Sequence, residues 1–292
     1  MNGYFENKHP LLQLFYFFAA AGLSMLFLHP VLIGASLLGA LLYHCKLTGI
    51  ESMLKDAKLV LYFSAFSALV NALVNHRGAT KIFLLFGKPV TKEALLFGFL
   101  TGLSFSSVMI WFFCYDRVFT SEKIMLVFGK RWPTLAISFA IVLRFVPNFL
   151  QKAREITAIQ RGLGVSITNG TFGQKAKNAV QILSILITYA LEGTAQTAMS
   201  MKKRGFGITQ RGTYIEQKWK VVDTLLAVIL CIEAVLMGII VVQKTMRLQF
   251  FPITSIPKVP IWGVVSLVAF FFLPFLIDIM QEFKWIYLQS KI

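Results

Sequence analysis

The chain has 292 residues, of which 57% are hydrophobic and only 14% charged, and Phe alone occurs 28 times. Soluble domains average about 25% charged residues and roughly 45–50% apolar ones, so the composition excludes a soluble fold, and its apolar content excludes disorder. Yet 29 Lys and Arg stand against 13 Asp and Glu, a net charge of +16. These basic residues lie between long apolar runs, which argues against a nucleic-acid binder and for a polytopic, all-α membrane protein whose positive charge is gathered in one place.

A spanning helix needs about 20 mostly apolar residues. In chain order the candidates are Leu11–Leu28, Val31–Cys45, Leu59–Val74, Ala94–Tyr115, Val222–Val242 and Ile261–Met280. Only His29 and Pro30 separate the first two, which predicts a tight helical hairpin. The first run lacks a small-residue cleavage site and passes straight into the next, so no cleavable leader is expected. Two further runs, Thr134–Leu150 with Arg144 and Pro147, and the short Val180–Leu191, lead into Lys- and Arg-rich stretches. Both fit shallow, interfacial or protein-buried helices as well as full spans. With six spans and both termini in the cytoplasm, 22 Lys and Arg lie inside and 7 outside, the arrangement the positive-inside rule favours. The expected organisation is membrane helices in 1–115, cytoplasmic or interfacial helices in 116–221, and membrane helices in 222–292.

Residues 116–221 hold sixteen Lys and Arg against five Asp and Glu, a surface suited to an acidic partner or an anionic inner leaflet. The segment carries an internal repeat: Arg161-Gly-Leu-Gly-Val-Ser166 matches Arg204-Gly-Phe-Gly-Ile-Thr209. Each copy follows a helix-like stretch. Gly162 and Gly205 suit the left-handed conformation that ends a helix, which sets Arg161 and Arg204 in the last turn, facing the negative end of the helix dipole. A guanidinium on a helix tip is built to dock bidentately on a carboxylate. Before the second copy, Ala190, Thr194 and Ala198 recur at spacing four, with Gly193 and Thr197 beside them, a stripe that permits close helix crossing.

These residues resemble a known family, the transmembrane T component of energy-coupling factor (ECF) transporters, the ATP-driven vitamin and metal-ion importers of prokaryotes. The resemblance rests on Gln160-Arg161-Gly162 and Lys203-Arg204-Gly205, on Leu143-Arg-Phe-Val-Pro147 and Ala190-Leu-Glu-Gly193, and on Lys8-His-Pro10, Asn75-His-Arg-Gly78 and Thr91-Lys-Glu-Ala94. It covers roughly residues 8–215. Gln160 and Lys203 stand where Ala is commoner before the arginine. The resemblance implies a non-catalytic subunit without a cofactor of its own, ATP being bound by partners. Arg161 and Arg204 would dock on two ABC-type ATPase subunits, flanked by Gln160, Gly162, Lys203 and Gly205. Ala190, Thr194 and Ala198 would pack the coupling helices. A small substrate-binding membrane subunit would complete the assembly in the cell membrane, with no nucleic acid involved.

No Walker A loop and no HExxH or CxxC pattern occurs in the sequence. Cys45, Cys114 and Cys231 read as buried apolar residues, and His9, His29, His44 and His76 as residues at span ends. Glu233, in mid-span, is either a functional carboxylate or a hydrogen-bonded one facing the bundle. The competing readings are a stand-alone secondary transporter or channel, which calls for inverted repeats, and a lipid-active enzyme, which calls for clustered acidic or His residues.

Overall fold

The computed structural model describes residues 4–76, 78–85, 88–129, 132–165, 170–206, 208, 219–243 and 260–289. Among them are nine α-helices and one hairpin: α1 (Pro10–Leu26), α2 (Pro30–Thr48), α3 (Ile50–Val74), β1 (Lys81–Leu85), β2 (Lys88–Thr91), α4 (Lys92–Val118), α5 (Ser121–Gly129), α6 (Pro133–Gly162), α7 (Phe172–Lys203), α8 (Val221–Gln243) and α9 (Ile261–Gln289). Apart from the hairpin this is an all-α polytopic membrane protein. Among the described residues, five helices, α2, α3, α4, α6 and α9, are long and apolar enough to cross a bilayer, while α1 is a shorter apolar helix. The ambiguous run at 134–150 thus lies within a helix of spanning length. The run at 180–191 is the middle of one 32-residue helix.

Helix starts follow local chemistry. Pro10, Pro30 and Pro133 occupy first-turn positions, where the missing N–H is not needed. Thr91 caps α4 by accepting from the Ala94 N–H at 3.4 Å. Thr171 opens α7 with a reciprocal capping box to Gln174. α3 begins at Ile50, well before the apolar run at Leu59. Its polar first turns are held by Asp56, whose Oδ2 lies 2.7 Å from Nε2 of His44 at the end of α2. Pro147 and Pro274 lie within α6 and α9 without ending them. The antiparallel β1–β2 hairpin was not expected; Lys81 faces Thr91 and Leu85 faces Lys88, and Pro89 sits on a strand with a free edge, where it is tolerated.

The chain divides into two compact units, residues 1–124 with 218–292, and residues 125–217. The first has a core of Tyr16, Phe17, Tyr43, Trp111, Leu267, Phe270 and Phe271, each 2% exposed or less. A polar cluster lies inside it. Ser24 Oγ donates to Ala20 O at 2.6 Å, Ser24 and Ser36 are 2.5 Å apart, and Ser36 and Ser107 are 2.8 Å apart. Trp111 Nε1 donates to Ser36 Oγ at 3.0 Å. Since the Ser24 hydrogen is committed to Ala20, Ser36 donates to Ser24 and Ser107 to Ser36, which uses all three hydroxyl protons of the cluster. Such bonds join helices where hydrophobicity alone does not.

α3 and α4 cross closely on small residues. Ser64, Ala68 and Ala72 of α3 are buried at spacing four. A Cβ added at Gly98 of α4 would lie 2.6 Å from Asn71 Cβ, and one added at Gly102 would lie 2.7 Å from Ser64 Cα. Ser67 Oγ donates to Gly98 O at 2.9 Å. This is a close crossing built on small residues.

Candidate functional site

The two arginine tips belong to the unit of residues 125–217. α6 and α7 are long because each joins an apolar stretch to a helix-favouring polar one with no interruption except Pro147. Phe149 of α6 meets Tyr189 of α7 edge-on, with ring centroids 6.5 Å apart, and Lys152 Nζ lies 5.3 Å from the Tyr189 ring. Ile156 and Ile182 are buried nearby in sequence on their helices. From the Phe149–Tyr189 contact each helix continues for roughly 20 Å before its arginine, at 1.5 Å per residue.

Each helix ends in a Schellman motif. In α6, Val165 N–H donates to Gln160 O at 2.9 Å and Gly164 N–H to Arg161 O at 3.2 Å. In α7, Phe206 N–H donates to Met201 O at 3.0 Å and Gly205 N–H to Lys202 O at 3.0 Å. The left-handed residues are Gly164, with φ +83°, and Gly205, with φ +77°. This corrects the sequence expectation for the first copy: Gly162 remains helical and Gly164 makes the cap. The matched hexapeptides are therefore offset against their helix ends. Arg161 lies inside the last turn of α6, while Arg204 is itself the cap residue of α7. Two residues of offset amount to roughly 200° of helix rotation. Ser166, Gly207 and Thr209 of the repeat lie outside the described residues.

Arg161, Gly162, Lys203 and Arg204 are exposed, and Gln160 and Gly205 half-buried. On α7 Ala190 is half-buried together with Gly193 and Thr197, while Thr194 and Ala198 are exposed. The half-buried face of this part of α7 is thus Ala190–Gly193–Thr197, beside the 190–194–198 stripe read in the sequence, and nothing lies within 4 Å of a Cβ added at Gly193. Arg144 is exposed on α6, and Glu233 is half-buried on α8. Cys114 is fully buried, its Sγ 3.9 Å from Nδ1 of His44, a packed thiol with no approach for a substrate. Among the described residues no three His, Cys, Asp or Glu side chains are grouped to hold a metal ion.

Fold and site together define a class: a polytopic helical membrane protein in which two long helices end on exposed, Schellman-capped arginine motifs. No family model matches the chain. Among curated proteins it is similar to the energy-coupling factor transporter transmembrane protein EcfT of Macrococcus caseolyticus, 25% identical over 182 residues, 58% of this chain and 67% of that one. The same-named protein of Bacillus selenitireducens is 30% identical over 122 residues, 40% of this chain and 46% of that one. The one from Bacillus subtilis is 26% identical over 198 residues, 63% of this chain and 74% of that one. The matched stretches thus run from under half to about three quarters of those relatives. The resemblance read from the sequence is shown: this chain is similar to ECF transporter transmembrane proteins.

Proposed function

We propose that the chain is the T component of an ECF-type importer of vitamins or metal ions. In this reading it binds no ATP itself. It links two cytosolic ABC-type ATPase subunits, through Arg161 and Arg204, to a separate small substrate-binding membrane subunit. It lies in a prokaryotic cell membrane with both termini on the cytoplasmic side. One observation carries the reading: two long helices present capped, exposed arginine tips in a chain similar to ECF transmembrane proteins. A guanidinium held at a rigid helix end loses little further freedom when it meets a carboxylate bidentately.

Affinity purification of the chain with its ATPases tests this. Arg161→Ala or Arg204→Ala is expected to lower ATPase recovery about tenfold, since a charge-assisted hydrogen-bonded contact is worth about 1.5–3 kcal/mol. The double substitution abolishes recovery, with membrane insertion unchanged. Arg204→Lys does not rescue, and Lys203→Ala has a smaller effect, because only the planar fork docks bidentately. Full recovery and uptake in the double variant would overturn the proposal, as would uptake by the purified chain alone.

A further inference from the structure

Several helix ends of the larger unit meet at one face, and the short segment before α1 touches most of them. Phe5 N–H donates to Asp278 Oδ1 of α9 at 2.7 Å. The Phe5 ring is fully buried against Tyr16, Phe17 and Tyr43, with centroids 5.4, 6.1 and 6.2 Å away. Lys8 and Asp223 of α8 form an ion pair at 3.5 Å, each side chain 3% exposed. The His9 ring lies 4.7 Å from Trp219 and its Nδ1 accepts from Leu11 N–H at 3.3 Å, fixing it at the start of α1.

The chain leaves this unit just after Lys123 and returns just before Trp219. Both passages are held by the same segment. Lys123 Nζ donates to Glu6 O at 2.6 Å, Gln13 Oε1 at 3.0 Å and Val118 O at 2.6 Å, which uses all three ammonium protons. Gln13 Nε2 in turn donates to Phe5 O and Glu6 O at 2.6 and 2.9 Å. On the return side, Asp223 Oδ2 accepts from Lys220 N–H at 3.0 Å, and Trp219 Nε1 donates to Thr224 Oγ1 at 2.8 Å.

We propose that residues 5–13 are a clamp that fixes both attachments of the 125–217 unit, 119–124 and 219–223, to α1 and α9, with Lys8 and Lys123 as its positioning residues. Motion imposed at the attachments is thereby delivered to the membrane helices rather than absorbed in two loose connections. The transmission rests on the coupling reading above; the clamp itself does not. Its strength comes from buried charge. Losing either partner of a buried ion pair leaves the other charge uncompensated, and losing Lys123 strands three acceptors at once.

Hydrogen exchange on the full chain in nanodiscs tests the clamp. Lys123→Met is expected to speed exchange about tenfold at 119–124 and also at 219–226, since the two passages share one support and open together. Acceleration confined to 119–124 would overturn it. Should that variant fail to fold, Asp223→Asn, which keeps an oxygen acceptor for the Lys220 N–H but removes the charge facing Lys8, accelerates both passages; acceleration confined to 219–226 overturns the clamp. For transmission the probe is ATP added to the complex purified with its ATPases. ATP alters exchange at 10–13 and 278–289 in the unsubstituted complex, and Lys123→Met removes that response at equal ATPase recovery. A response that survives Lys123→Met overturns transmission. A chain that retrieves no ATPases overturns the coupling reading instead, and the first measurement still decides the clamp.

Discussion

The unit of residues 1–124 and 218–292 and the unit of residues 125–217 hold themselves together differently. The first buries Trp111, Tyr16, Tyr43 and Phe270 completely or nearly so, and its helices cross on glycine and serine. In the second, among the described residues, Ile156 and Ile182 are the buried hydrophobics, while Leu135, Val142, Leu150, Leu183 and Leu191 are more than half exposed. A helix bundle with an interdigitated core fixes its own geometry. Two long helices joined by a short contact region leave their apolar faces for bilayer or partner. The difference teaches where rigidity and adaptability lie: the first unit is a frame, and the second is a pair of arms.

One substitution made in both units breaks or confirms this contrast. Gly102→Ala places a Cβ 2.7 Å from Ser64 Cα, a clash with backbone that no rotamer relieves. It is expected to cost about 3 kcal/mol and to collapse the monodisperse peak in fluorescence-detected size exclusion. At Gly193 of α7 nothing lies within 4 Å of an added Cβ. Gly193→Ala is expected to raise stability by up to about 1 kcal/mol through helix propensity alone. If both glycines tolerate alanine, the α3–α4 crossing is not the rigid element described here.

A finer test separates the two arginine tips. Gly164 and Gly205 hold left-handed backbone at the ends of α6 and α7, and Gly162 does not. Alanine at Gly164 or Gly205 costs about 1 kcal/mol in each helix end, read as faster exchange over 159–165 or 200–206. Alanine at Gly162 leaves exchange unchanged or slower. Equal effects at Gly162 and Gly164 would restore the symmetric caps expected from the repeat.

What was readable beforehand follows from the range of each interaction. Span cores were legible because burial in lipid demands continuous apolar runs, and α4, α8 and α9 lie over the expected stretches. The arginine tips were legible because caps and dipole act within one turn. The repeat offers two glycines per copy, however, and sequence spacing does not say which one turns left-handed. Gly98, Gly102 and Ser106 recur at spacing four in plain view, yet nothing in the sequence pairs them with Ser64 and Ala68. The early start of α3 depends on His44 meeting Asp56, and the clamp on Lys8 meeting Asp223 from 215 positions away. Such contacts exist only once the helices are packed.

The smallest expected effect uses pH to separate frame from arms. His29, in the turn between α1 and α2, is buried and its Nδ1 is unpaired among the described residues. Burial holds its pKa below the ordinary value. Below about pH 6.5 the unfolded chain therefore binds a proton that the folded chain refuses, so stability rises with pH in that window. It is complete above the unfolded value and is lost as pH falls toward the lowered folded one. Melting curves of the purified chain between pH 7.5 and 5 are expected to shift down by a few degrees, and His29→Gln flattens that slope even if it lowers the starting stability. Every other group is common to both proteins, so the difference between the two slopes isolates His29. If the proposed docking holds, ATPase recovery at pH 5.5, wherever the chain remains folded, follows the partners' carboxylates and not the arms, since guanidinium groups in proteins do not lose their proton.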